Sequence, residues 1–293
     1  MKPLFTGCGT ALITPFKQGE IDWEALDRLV EEQIDGGVDA LVATGTTGEP
    51  STMTWEEHLA VIRRVAEMAK GRVTVIAGTG SNCTREAVEA AKAVQDSGAN
   101  ALLVVTPYYN KTTQDGLVAH YHAIADNSAL PLIVYNVPSR TGLNITPAAL
   151  KRICQHDRIV AVKEANPDVE QAMEKIILCG EDAVFYSGSD ELIVPLMSVG
   201  CKGVISVLSN VMPKETADLT HLALAGDFAG AAALQLKLLP FIKALFSETS
   251  PIPCKAAMAM LGKCEEEVRL PLVPMQAATR ERMADVMREL GLL

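Results

Sequence analysis

Lys163 follows the apolar run Ile159-Val160-Ala161-Val162. Strand alternation places it on the same face as Ala161 and turns Glu164 to the opposite face. If the Ala161 face is a core, the ammonium is poorly solvated and its pKa falls. A free lysine near ~10.4 is neutral in well under about one part in a thousand at pH 7, so a depressed pKa is what makes the amine a nucleophile toward a keto carbon. The competing reading is a strand-end lysine that snorkels into water.

Other residues offer compatible chemistry. Tyr135 closes the run Leu132-Ile133-Val134 and leads into Asn136-Val137-Pro138-Ser139-Arg140-Thr141-Gly142. Its phenol can donate and accept a proton as a carbinolamine forms and dehydrates, or simply pack at the strand end. Arg140 lies in a loop bounded by proline and glycine and can hold a carboxylate bidentately, unless it is only solvated. Gly45-Thr46-Thr47-Gly48-Glu49 supplies two hydroxyls and exposed backbone N–H groups, a composition that suits a small carboxylate as well as an ordinary turn before a helix. Tyr108-Tyr109 stands out where only 4% of residues are aromatic and fits either packing or catalysis. Gly78-Thr79-Gly80-Ser81 has neither a phosphate-loop lysine nor a dinucleotide fingerprint, so a nucleotide is not expected there.

These residues need a scaffold that gathers strand ends. Short apolar runs recur about every 25 to 30 residues, at Thr10–Ile13, Ala40–Ala43, Val73–Ala77, Leu102–Val105, Leu132–Tyr135, Val160–Lys163, Val184–Tyr186 and Gly203–Val207. Amphipathic helical segments lie between the early ones, at Trp23–Ile34, Glu56–Ala69, Arg85–Gln95 and Leu117–Ala125. Polar motifs follow most of the runs, including Gly188-Ser189-Asp190, whereas a doubly wound sheet would concentrate them at one switch point. The expectation is an α/β fold, a (β/α)8 TIM barrel over residues 1–210 carrying the site. Residues 211–293 read as helices without strands, a C-terminal helical appendage packed on the barrel.

Bulk composition narrows the partners. A formal charge of −10 and a pI near 5.1 disfavour nucleic acid and anionic membrane surfaces. The N-terminus does not read as a signal peptide, and no stretch approaches ~18 continuous apolar residues. Seven scattered cysteines lack metal spacing and read as reduced thiols of a cytoplasmic protein, with no metal site.

Together, Gly45-Thr46-Thr47-Gly48-Glu49, Tyr135-Asn136-Val137-Pro138 with Arg140-Thr141-Gly142, and Val162-Lys163-Glu164 stand in an order and spacing that resembles the pyruvate-dependent class I aldolase family, which includes the N-acetylneuraminate lyases. Thr10-Ala11 with Thr14-Pro15-Phe16, Thr106-Pro107-Tyr108-Tyr109 and Gly188-Ser189-Asp190 extend the resemblance over nearly the whole chain. It implies that Lys163 forms an imine with pyruvate and no cofactor is used. Thr46 would link Tyr135 to Tyr109 as a proton relay, with Tyr109 reaching across a dimer interface. Thr46 and Thr47 amides would hold the pyruvate carboxylate, and carbonyls near Gly188 and Ile205 would line the pocket.

The paired threonines, Tyr109 and Arg140 resemble the synthases of that family, which condense pyruvate with aspartate semialdehyde, Arg140 taking the semialdehyde carboxylate. The alternative is an aldolase of a sugar-derived 2-keto acid, and a more distant one is a non-catalytic barrel. The resemblance further implies a homotetramer built as a dimer of dimers, with lysine as an inhibitor at Ser51, Trp55, His58, Asn82, Glu86 and Tyr108. Trp55, Pro50 and Ser250 depart from residues common in the family.

Overall fold

The computed structural model describes residues 2–293. Eight parallel strands close into a barrel: β1 Gly7–Ala11, β2 Ala40–Ala43, β3 Thr74–Gly78, β4 Ala101–Val105, β5 Leu132–Asn136, β6 Ile159–Glu164, β7 Val184–Ser187 and β8 Gly203–Ser206. Each strand pairs with its sequence neighbours, and β1 closes the ring by pairing with both β2 and β8. The expected runs all lie on these strands, with ends shifted by a few residues. An additional two-stranded hairpin, Phe16–Lys17 with Glu20–Ile21, was not expected. Its strands are two residues each, too short to show alternation.

The strands are buried on both faces, which is why they read as apolar runs. Inside the barrel, Ala11, Val42, Ile76, Leu103, Ile133, Ala161, Val184 and Ile205 pack together with Tyr135 and Tyr186. Outside it, a larger core fills the space beneath the helices α1 Trp23–Asp35, α2 Trp55–Ala69, α3 Thr84–Ala93, α4 Gln114–Asp126, α5 Pro147–Ile153, α6 Val169–Cys179, α7 Ile193–Ser198 and α8 Pro213–Leu224. Helix starts are set by side-chain caps. Asp22 accepts from the Ala25 N–H before α1, and Thr54 and Glu57 form a reciprocal capping box before α2. Burial then follows the helical period, as in Val61, Ile62, Val65 and Ala69 of α2.

Helix α8 packs against β1 and β8, so a division near Asn210 separates the last strand from the helix that covers it. Beyond it come α9 Phe228–Leu245, α10 Ile252–Met260 and α11 Ala277–Glu289. Helix α9 is the one described helix long and apolar enough by length and composition to cross a membrane, with a mean hydropathy of 1.4 over 18 residues, although Gln235, Lys237 and Lys243 interrupt its apolar run. Its Leu238, Phe241, Ile242 and Leu245 are buried where it packs on α8 and α11. Gln235 of α9 donates to the Asp190 carbonyl at 2.9 Å, tying the appendage to the barrel rim.

Candidate active site

Register brings the reactive side chains together. Tyr135 of β5 pairs with Lys163 of β6, which in turn pairs with Tyr186 of β7, so the three occupy one inward-facing layer. The Lys163 ammonium lies 4.3 Å from the centroid of the Tyr135 ring and is only 6% exposed. Burial lowers its pKa to about 7; Asp190 opposes that shift and Arg140 reinforces it. Burial pushes the Tyr135 phenol up to about 12, against the charge of Arg140 and the hydroxyl of Thr46. The amine is therefore half deprotonated near neutrality while the phenol keeps its proton. Gly188 lets β7 approach the amine closely, since a Cβ there would stand 3.1 Å from Lys163 Cε and 2.7 Å from Ala165 Cβ. Ile205 is buried in the barrel interior.

Above this layer opens a cleft of about 630 Å³. Thr46, Tyr135 and Arg140 line one part of it, and Ser51, Trp55, His58, Glu86 and Tyr108 another, so two groups of residues assigned to separate sites share one continuous cleft in the single chain. Trp55 and His58 have ring centroids 4.9 Å apart, His58 Nε2 lies 2.8 Å from the Gly78 carbonyl oxygen, and burial lowers the His58 pKa. Asn82 is not in the cleft wall; its side-chain amide donates to the Tyr108 carbonyl at 3.2 Å and so supports the loop that bears the tyrosine. Thr47 is buried in the turn beneath Thr46. Tyr109 is 91% exposed, with φ +70°, and lies outside the cleft of its own chain.

Residues 4–290 match the dihydrodipicolinate synthetase family. The chain belongs to that family. It is 50% identical over 290 residues to the 4-hydroxy-tetrahydrodipicolinate synthase of Geobacter metallireducens, covering 99% of this chain and 100% of the relative. A crystal structure of dihydrodipicolinate synthase from Thermotoga maritima superposes with a TM-score of 0.97 at 43% identity, covering 99% of this chain and 100% of that one. A dihydrodipicolinate synthase from Cyanidioschyzon merolae, solved with lysine bound, superposes at 0.96 with 38% identity and full coverage of both chains.

Sequence reasoning placed Glu164, Asp190 and Glu49 beside the site but not their buried partners. Glu164, on the outer face of β6, accepts from Lys175 Nζ at 2.7 Å, from Asn136 Nδ2 at 2.7 Å and from the Asn166 N–H at 2.8 Å. This buried knot joins the strands that carry Tyr135 and Lys163 to α6. Lys175 shares the buried face of α6 with Ala172 and Cys179, and a lysine at core spacing was the available signal. Asp190 is fully buried, and its carboxylate accepts from the N–H groups of Val207 and Leu208, both at 3.0 Å. Glu49, which follows the threonine turn, pairs with the buried Lys255 of the appendage.

Proposed function

We propose that this protein condenses pyruvate with L-aspartate 4-semialdehyde to give 4-hydroxy-tetrahydrodipicolinate, a step of diaminopimelate and lysine biosynthesis. The observation that carries the reading is a buried lysine of pKa about 7, beside a tyrosine and beneath a cleft that also holds a cationic anchor, Arg140. The names of the relatives agree with it.

Neutral Lys163 adds to the keto carbon of pyruvate and loses water to form an imine. Loss of a methyl proton gives an enamine, with the protonated imine as the electron sink, so no cofactor takes part. Tyr135 passes protons through Thr46, and the relay is completed by Tyr109 from a second copy, which accounts for its exposure in one chain. The turn amides of Thr46 and Thr47 hold the pyruvate carboxylate, with carbonyls near Gly188 and Ile205 bounding the pocket. Arg140 anchors the carboxylate of the semialdehyde. The enamine carbon attacks the aldehyde, the substrate amine displaces Lys163 by transimination, and the ring closes as the lysine is freed. The protein works in this reading as a cytoplasmic homotetramer, a dimer of dimers.

Borohydride trapping tests the imine. Incubation with pyruvate and borohydride is expected to add one reduced pyruvyl group at Lys163, read by intact mass and peptide mapping, and turnover with aspartate semialdehyde should exceed cleavage of sialic or keto-deoxy acids. Absence of the mass gain refutes imine catalysis. A mass gain without semialdehyde turnover favours an aldolase of sugar-derived keto acids.

The cleft around Trp55 takes lysine as an inhibitor in the same reading, with Glu86 receiving the ammonium, Ser51, His58 and Tyr108 completing the wall, and Asn82, outside the cleft wall, acting by holding the Tyr108 loop. A lysine-bound relative supports it. Titration with lysine is expected to lower activity, and Glu86→Ala to weaken that inhibition by about tenfold or more through loss of one charge-assisted contact. Flat activity up to millimolar lysine removes the proposal.

A further inference from the structure

The turn bearing Thr46 and Thr47 is gripped from outside the barrel. In it the Gly48 N–H donates to the Gly45 carbonyl at 2.8 Å and the Glu49 N–H to the Thr46 carbonyl at 3.2 Å, leaving the first N–H groups of the turn outside its own bonding. Glu49 ends the turn at φ 56°, ψ 42°, a left-handed conformation that a non-glycine residue keeps only where its surroundings over-determine it. Its side chain is 2% exposed, and the C-terminal region supplies its partners. One carboxylate oxygen pairs with Lys255 Nζ, and the other accepts from the Arg269 N–H at 3.2 Å.

Lys255 is 0% exposed on α10. Its ammonium also donates to the Glu267 carbonyl at 2.8 Å and lies 4.0 Å from the Phe16 ring centroid. Arg269 covers the same ring at 4.3 Å, donates to the Thr52 carbonyl at 3.2 Å and forks onto Glu57 at 2.7 and 2.6 Å. The stretch from Glu49 to Glu57 is thus fastened at several points to the appendage. Arg140 touches that region too, through the Ser250 carbonyl at 3.2 Å.

A buried ion pair is a poor device for stability, because well-packed apolar side chains of similar volume often serve as well or better. It is a good device for fixing one geometry. We infer that Lys255 is a positioning residue: through Glu49 it aims the turn that presents the Thr46 and Thr47 amides to the keto-acid carboxylate, so the helical appendage sets the affinity for pyruvate. The inference rests on the imine reading of the same site and adds a determinant more than 200 residues along the chain from the turn it controls, between positions 49 and 255.

The test is borohydride trapping at graded pyruvate in the full-length protein, comparing the wild type with Glu49→Gln and with the doubly neutral Glu49→Gln/Lys255→Met. The double variant leaves no uncompensated buried charge and covers the case in which the single one fails to fold; circular dichroism checks both. The pyruvate concentration that half-saturates labelling of Lys163 is expected to rise about tenfold or more, as displaced binding groups commonly produce. The labelling plateau should stay complete and the KM for aspartate semialdehyde should stay within about twofold, since the Arg140 anchor remains. An unchanged half-saturation point in a folded variant overturns the inference, and so does an equal rise in both substrates' constants. A wild type that takes no label overturns the imine reading instead.

Discussion

Lys163→Met is expected to abolish pyruvate labelling, to lower condensation by at least about 10⁴-fold, and to make the protein more stable at neutral pH. The loss of activity follows from the covalent step, for no neighbouring amine can replace the one buried against Tyr135. The gain in stability follows from the same burial. In the unfolded chain this lysine titrates at its ordinary value of 10.5, whereas in the folded protein it does so at about 7. Between those values the unfolded chain binds the extra proton, so wild-type stability rises with pH across that window, and below about 7 the full cost of burying the charge is present. That cost is on the order of 5 kcal/mol, and methionine, a linear side chain of similar size, does not incur it.

Melting curves of both proteins from pH 6 to pH 10 check the sign as well as the size. The difference in Tm should be greatest at the acid end and shrink as the pH nears 10.5. A variant less stable than the wild type at pH 6 would show that Lys163 is held by favourable contacts. The same depressed pKa predicts that imine formation rises through about pH 7 and levels off above it, as the neutral amine becomes the dominant form.

The strands of the barrel were legible because parallel strands covered on both faces leave uninterrupted apolar runs, each ended by polar residues at the mouth. Lys163, Tyr135, Thr46 and Arg140 showed only as polar punctuation after those runs, each open to a bland reading, and it was the family resemblance of their order and spacing that singled them out. What stayed hidden depends on pairing across the chain. Glu164 was read correctly as facing away from Lys163, but its partner Lys175 belongs to a helix, Val169–Cys179, that the sequence reading did not delimit. Lys255 lies in the fully buried stretch Ile252–Met258, and nothing local points to Glu49. Helix α8 looks like any helix of the tail because no strand follows it, and only its packing on β1 shows that it covers the barrel. Tyr109 had no local signal beyond its type, and within one chain it meets no part of the cleft.

Tyr135→Phe should lower kcat by about 10²- to 10³-fold while leaving the fold and the final extent of pyruvate labelling intact. The substitution keeps the ring that lies 4.3 Å from the Lys163 ammonium and removes only the hydroxyl. That hydroxyl is held protonated, up to about pH 12, so it serves as a shuttle that gives and regains a proton within each step. Without it, carbinolamine dehydration and enamine formation must draw protons from water, and both slow while the equilibrium for the imine is little changed. Labelling at saturating pyruvate should therefore reach completion, but over a much longer time. The rise through about pH 7 should persist, because it belongs to Lys163. Thr46→Val should reproduce the slow labelling in weaker form if the proton leaves Tyr135 through that hydroxyl. A Tyr135→Phe protein with kcat within about threefold of the wild type would mean that the relay does not run through the phenol, and the proton traffic at Lys163 would then have to pass through water in the cleft.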